Sequence, residues 1–307
     1  MRAFLGLVHF AALLLSAVTS FAAGAAGIAW PKALEIFQGD VVETSVTGTS
    51  LAAVEGSFGK EKIFFYVSGP STFRAVLGAD VDAKPAAAKL RLSAKTHAGG
   101  EIRFDVPVKI KAKACRQESF NVPPGFDQMT PENLAEIRRE QAAFARAFAT
   151  PETERFWEVP FIRPVPHEES ASSFGRRRII NGTPRAPHSG LDLSSPAGTE
   201  VVATNHGKIV LAGNFFFAGG SVVVDHGGSL YTMYFHLSDI RVGEGEFVRK
   251  GDVLALSGAT GRVTGAHLHW GARLANARID PLELLRKISG NWQPAPQGNP
   301  PAIETEK

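Results

Sequence analysis

Cysteine is nearly absent. Cys115 is the only one in 307 residues, so no disulfide can form within the chain, and stability must rest on packed cores or a bound ion. Its position, far from the N-terminus, also excludes a lipid-attachment cysteine behind a leader. The helical zinc-protease signature HExxH is missing, because His167-Glu168 is followed by no second histidine at the required spacing. A strong charge of either sign is missing too. Lys and Arg total 33 against 30 Asp and Glu, a net charge of +3 that suggests mild affinity for anionic surfaces such as cell wall or lipid. The basic run "GRRRII" at 175–180 has no interleaved aromatics and reads as a solvated edge, so no nucleic-acid partner is expected.

What is present describes a globular chain. With 44% hydrophobic and 21% charged residues, there is room for two domains and a large core. Residues 1–25 carry Arg2, a long apolar run and then small residues, the order of a secretory signal with cleavage near Ala22 to Ala25. Export to the periplasm or cell envelope follows. An uncleaved membrane anchor is the alternative, since no charged residue lies between Arg2 and Lys32.

Residues 28–122 have the pattern of a small β-sandwich. In "EIRFDVPVKIKAKA", Ile102, Phe104, Val106, Val108 and Ile110 alternate with polar residues, and Pro107 with the lysines suits a sheet edge. Residues 123–165 form a helical segment and Pro-rich linker. Thr130 can cap the helix, Pro131 fits its first position, and Leu134, Ile137, Phe144 and Phe148 share a face. Residues 166–290 return to short strands separated by Gly-containing turns, an antiparallel all-β domain, and 291–307 read as a disordered tail.

The second β domain holds an unusual set of side chains. In "TGAHLHWGA", His267 and His269 share one face of an extended segment while Leu268 and Trp270 share the other. In "PHSGLDL", His188 and Asp192 stand four apart around Gly190, and His236 follows the strand "LYTMYF". Imidazoles with a carboxylate supply the nitrogen and oxygen donors that bind Zn²⁺ and leave a fourth position to water. Hydrolysis also needs a base and a group that steadies the oxyanion, roles open to unligated histidines. His206 and His226 sit beside glycines and read as turn residues. Asn181 and Arg185 could line a substrate groove or simply belong to a polar turn. Tyr234, two residues from His236 and so on its face, reads as a substrate or oxyanion contact, with Tyr231 in the core.

From about Ser172 to Leu285 the chain resembles the lysostaphin and LytM-type zinc metallopeptidases, which cut peptide bonds in bacterial cell-wall peptidoglycan. The resemblance rests on "SSFGRRRIINGTPRAPHSGLDLSSPAGTEVVAT", "VVVDHGGSLYTMYFHLS" and "VRKGDVLALSGATGRVTGAHLHW". It implies a LytM-like all-β catalytic domain at 166–290, with one zinc per chain on His188, Asp192 and His269, and His236 and His267 as the unligated catalytic pair. Gly271 departs from the family, many of whose members have an acidic residue soon after the HxH.

The resemblance further implies an endopeptidase acting on D,D cross-links, since nothing in the chain is similar to the wall-targeting domain of glycine-cutting relatives. It also suggests that the N-terminal region inhibits the enzyme by lying over its groove. A non-catalytic wall-binding or regulatory protein is the alternative. A lipoyl or biotinyl carrier is disfavoured, because Lys208 and Lys250 lack flanking methionines.

Overall fold

The computed structural model describes residues 21–23, 27–121, 129–166 and 173–288. The expected tail at 291–307 and all of the expected leader except Phe21–Ala23 lie outside the described residues. The backbone of Phe21–Ala23 pairs antiparallel with Ala29–Pro31.

The first region is two five-stranded sheets face to face. Ile36, Val46, Leu77, Leu90, Ala94, Val106 and Val108 fill the space between them. Alternation along Glu101–Lys111 puts Val106 and Val108 in this core and Arg103, Asp105 and Pro107 outside. The strand is an edge over only part of its length, because Val108–Lys111 pairs in parallel with Leu34–Phe37. Pro107 has no N–H to donate, and that pairing begins one residue after it.

The helix α1 (Pro131–Ala147) begins as its sequence requires. Thr130 Oγ1 accepts from Asn133 N at 3.2 Å, and Pro131 occupies the first turn. Only its C-terminal half packs: Phe144, Ala147 and Phe148 meet Leu211, Tyr231, Phe215 and Phe235, whereas Leu134 stays 43% exposed.

The second region is a nine-stranded sheet whose pairings are all antiparallel. At its centre, Leu230–Ile240 is flanked by Gly219–Asp225 and Leu268–Leu274, and Gly190–Leu193 forms the edge beyond Leu268–Leu274. Leu191, Leu193, Val222, Val224, Tyr234, Leu268 and Trp270 are buried on one side of it. A small additional sheet departs from the antiparallel expectation. Gln117–Phe120, placed by its sequence at the end of the sandwich, pairs in parallel with Arg177–Ile180, which pairs in turn with Thr183–Pro184.

The two regions share a third core. Val41 and Val76 pack with Trp157, Phe161, Leu230, Leu274, Ile279 and Leu284, the last from the short helix α2 (Pro281–Lys287). Arg278 bridges to Asp80 at 2.6 Å and Asp82 at 3.2 Å, and Lys287 to Asp40 at 2.5 Å.

Candidate metal centre

Two neighbouring strands build the centre. Asp192 and His269 face each other as cross-strand partners between Gly190–Leu193 and Leu268–Leu274. Trp270, on the opposite face from His269, is fully buried and holds the strand against the core. Gly190 makes the approach possible: a Cβ there would lie 2.5 Å from His269 Nε2 and 2.6 Å from the Trp270 carbonyl oxygen. No larger residue fits between the strands without moving one of them.

His188 Nε2, Asp192 Oδ1 and His269 Nδ1 converge to a triangle with three sides of 3.0 Å. His188 Nδ1 lies 3.0 Å from the Ser173 carbonyl oxygen, which fixes its proton there and turns the Nε2 lone pair inward. The Ser173 hydroxyl also accepts from the Asp192 N–H at 3.0 Å. Burial works against the Asp192 carboxylate, but hydrogen bonds and charge from His188 and His269 outweigh it and hold its pKa well below the usual carboxylate range. Burial, together with the neighbouring His188, lowers the pKa of His269.

These donors fit a zinc ion. Bonds of about 2.0–2.1 Å at tetrahedral angles set ligand atoms about 3.3 Å apart, close to the triangle observed. Two inward lone pairs and an anion, with few protons to share among them, also make a set that a cation satisfies better than mutual hydrogen bonding.

His236 and His267 flank the triangle. Their rings lie 4.9 Å apart, and His236 is 6.0 Å from His269. His236 reaches the groove through a β-bulge: the register with Gly219–Asp225 slips between Gly220 and Val222, and His236 takes φ +65°. Its Nδ1 is 3.0 Å from the Thr260 carbonyl oxygen, leaving Nε2 for the groove. Burial, reinforced by His269 and His267, pushes its pKa down to about 4, so the ring is neutral at pH 7. His267 Nδ1 lies 2.9 Å from the Gly265 carbonyl oxygen, and its Nε2 is 3.6 Å from Asp192 Oδ1.

The bulge overturns one expectation. Left-handed backbone at His236 breaks the two-residue alternation, so Tyr234 does not share its face. Tyr234 is fully buried, and its hydroxyl lies 3.0 Å from Thr204 Oγ1 and 2.9 Å from Thr232 Oγ1. It is a core residue and no substrate contact. Asn181 and Arg185 are exposed around the turn after Arg177–Ile180, outside the residues lining the groove.

Instead the groove, a cavity of about 380 Å³, takes Arg178, Arg262, Val263 and Thr264 beside the five His and Asp side chains. The basic run at 175–180 reads from sequence as a solvated edge, yet Arg178 lines the groove, while Arg262, Ser173 and Thr260 stand in no motif of their own. For Arg178 the signal was its place in a basic run just ahead of the metal motif. No described residue of the sandwich lines the cavity, although Met129, just before α1, reaches Arg262. Phe235 stacks on His269 at 5.4 Å with its ring nearly parallel, and Phe144 of α1 packs against Phe235 at 5.5 Å.

Fold and site together define a β-sheet metallopeptidase, with a histidine–aspartate–histidine cluster on adjacent strands and two further imidazoles at its mouth. Residues 186–281 match the model of peptidase family M23. A crystal structure assigned to peptidase M23 from Pseudomonas aeruginosa is 30% identical and superposes with a TM-score of 0.61, over 82% of this chain and 95% of that one. The chain belongs to peptidase family M23.

Among curated relatives, the peptidoglycan DD-endopeptidase ShyA of Vibrio cholerae is 46% identical over 101 residues, 33% of this chain and 24% of that protein. The DD-carboxypeptidase/endopeptidase Mpg of Neisseria meningitidis is 37% identical over 124 residues, 40% of this chain and 28% of that protein. The chain thus matches only about a quarter of the length of these relatives.

Proposed function

We propose that this protein is an exported, zinc-dependent endopeptidase that hydrolyses D,D peptide cross-links of peptidoglycan. The observation that carries the reading is the 3.0 Å triangle of His188, Asp192 and His269 with two unligated imidazoles beside it. The names of its curated relatives support the substrate class. The apolar segment before Lys32 supports export, with membrane anchoring as the alternative form.

His188, Asp192 and His269 would hold the zinc. When bound, zinc polarises a carbonyl and brings the pKa of water towards neutrality. His236, neutral and held at Nδ1 by Thr260, presents an Nε2 lone pair that can take a proton from the attacking water and return it to the leaving amine. His267, fixed through Nδ1 by Gly265, stands beside His236 at the groove, where its Nε2–H can donate to the substrate oxygen once the ring carries a proton on both nitrogens. Phe235 restrains the His269 ring from behind.

The test pairs zinc content with mass spectrometry of muropeptides released from purified peptidoglycan. One zinc per chain and newly resolved cross-links are expected from the wild type, and neither from His188→Ala or Asp192→Ala. Zinc-dependent cleavage that survives either substitution refutes the ligand assignment. One zinc with no product from the wild type would favour a regulatory protein.

A further inference from the structure

A short turn, residues 216–218, joins the strands Gly207–Phe215 and Gly219–Asp225, and its backbone groups are bound to three separate elements. The Phe217 carbonyl accepts from Arg262 N–H at 3.1 Å, and the Ala218 carbonyl accepts from His236 N–H at 2.9 Å. The Phe217 N–H donates to Glu140 Oε2 at 2.9 Å. Glu140 stands on α1, ahead of residues 186–281 that match the family model.

This turn holds His236 from two sides. Ala218 fixes its backbone, and Thr260, against which the turn is packed, fixes its ring. A Cβ on Gly219 would lie 2.4 Å from Thr260 Oγ1, and that hydroxyl accepts from Gly220 N–H at 2.8 Å. The carbonyl of the same Thr260 lies 3.0 Å from His236 Nδ1, which leaves Nε2 for the groove. Gly261 repeats the close fit, since a Cβ there would meet the Phe217 carbonyl oxygen at 2.5 Å. Neither loop can shift without the other.

What α1 adds is an anchor from outside the sheet. Phe144, four residues beyond Glu140 on the same face of the helix, packs against Phe215 at 5.3 Å, so α1 meets both the start of the turn and its middle. Phe217 is 37% exposed, and water could satisfy its N–H as well as a carboxylate does. Such a bond contributes little to stability. Its effect is to fix where the turn sits.

We infer that Glu140 is a positioning residue for His236, acting through Phe217 and Ala218, and that α1 is thereby part of the machinery that aims the base. The inference rests on the endopeptidase reading for the role of His236, and it adds a residue from outside the matched peptidase domain.

The experiment uses the zinc-loaded full chain, a soluble cross-linked muropeptide as substrate, and NMR of isotope-labelled histidine rings. Glu140→Ala should lower kcat about 10- to 100-fold, the scale of a displaced general base. KM and zinc affinity should stay within about twofold of the parent, because the strands carrying Asp192 and His269 do not pair with those that flank the turn. Glu140→Gln keeps an oxygen that accepts from the Phe217 N–H and should retain most of kcat. In the wild type the His236 ring should show one neutral tautomer, protonated at Nδ1, and Glu140→Ala should mix in the tautomer protonated at Nε2.

An unchanged kcat, equal losses in the Gln and Ala variants, or a His236 tautomer indifferent to Glu140 overturns the inference while leaving the endopeptidase intact. So does a loss of kcat matched by losses in zinc affinity and unfolding midpoint, which would mark a merely structural contact. A wild type that cleaves nothing, with the His236 tautomer still governed by Glu140, overturns the endopeptidase reading and leaves the positioning in place.

Discussion

Gly190→Ala adds a single methyl group, yet it should disable the metal centre. The new Cβ would lie 2.5 Å from His269 Nε2, 2.6 Å from the Trp270 carbonyl oxygen and 2.9 Å from His269 Cε1. Ordinary contact begins near 3.5 Å, so about 1 Å must be found. Trp270 is fully buried and cannot retreat, which leaves the His269 ring or the edge strand Gly190–Leu193 to move. Either motion opens the triangle, since His269 Nδ1 sits 3.0 Å from both His188 Nε2 and Asp192 Oδ1. Metal ligands tolerate only about 0.2 Å of displacement.

The overpacking itself should cost about 1–3 kcal/mol of stability. Zinc affinity should fall by about 10- to 100-fold, equivalent to about 1.4–2.8 kcal/mol. The assay is competition against a chelator of known affinity, with thermal unfolding measured with and without zinc. Gly213→Ala serves as the control, because its Cβ would meet nothing closer than 3.6 Å. Zinc binding by Gly190→Ala as tight as the parent's would refute the claim that this glycine exists to admit His269.

Three further outcomes are expected. His226 is fully buried with its pKa pushed down to about 4, so the unfolded chain binds a proton that the folded one refuses between about pH 6.5 and 4, and stability drains away as pH falls through that window. Burial raises Asp225 to about 6, which acts in the opposite direction and masks the loss in the wild type. The destabilisation caused by His226→Gln should therefore be about 3 kcal/mol smaller at pH 4 than at pH 7 in urea titrations; a pH-independent difference would contradict a neutral buried imidazole. Arg155, 5% exposed between the rings of Tyr66 at 5.2 Å and Trp157 at 4.8 Å, joins the sandwich to the connecting arm, so Arg155→Ala should cost about 2 kcal/mol. An unchanged denaturation midpoint would show that these ring contacts contribute nothing. Phe235→Ala should loosen His269 and weaken zinc binding severalfold, read by the same chelator competition, while Phe235→Leu keeps most of it; equal affinities in both would mean that the stacked ring does not restrain the ligand.

Much of the site was legible because it follows strict alternation. His267 and His269 point one way and Leu268 and Trp270 the other, a pattern that needs only a pleated strand. The same rule misplaced Tyr234, because a bulge and one left-handed residue at His236 shift the frame, and nothing in "LYTMYFHLS" announces the slip. Helical periodicity placed Phe144 and Phe148 on the packed face of α1 but could not tell that the sheet ends before Leu134. The parallel pairing of Gln117–Phe120 with Arg177–Ile180 joins residues 60 apart, a contact that no local pattern encodes. The roles within "RRR" were hidden for the same reason, since Glu118 and Asp82 choose two of the three arginines by position alone.

That distant pairing bears on how the catalytic half could be isolated. A fragment beginning near residue 160 would lose Gln117–Phe120 as the neighbour of Arg177–Ile180, and Asp82 as the anchor of Arg177. It would also shed Asp80, to which Arg278 is fastened. The wall that carries Arg178 would then keep only its local bonds, the pairing with Thr183–Pro184 and the backbone contacts of Gly175, Arg176 and Arg178 with His188 and Arg185. Weak activity in such a fragment would report the loss of these supports together with any effect on catalysis, so the surface of the sandwich is better probed by point substitutions than by amputation.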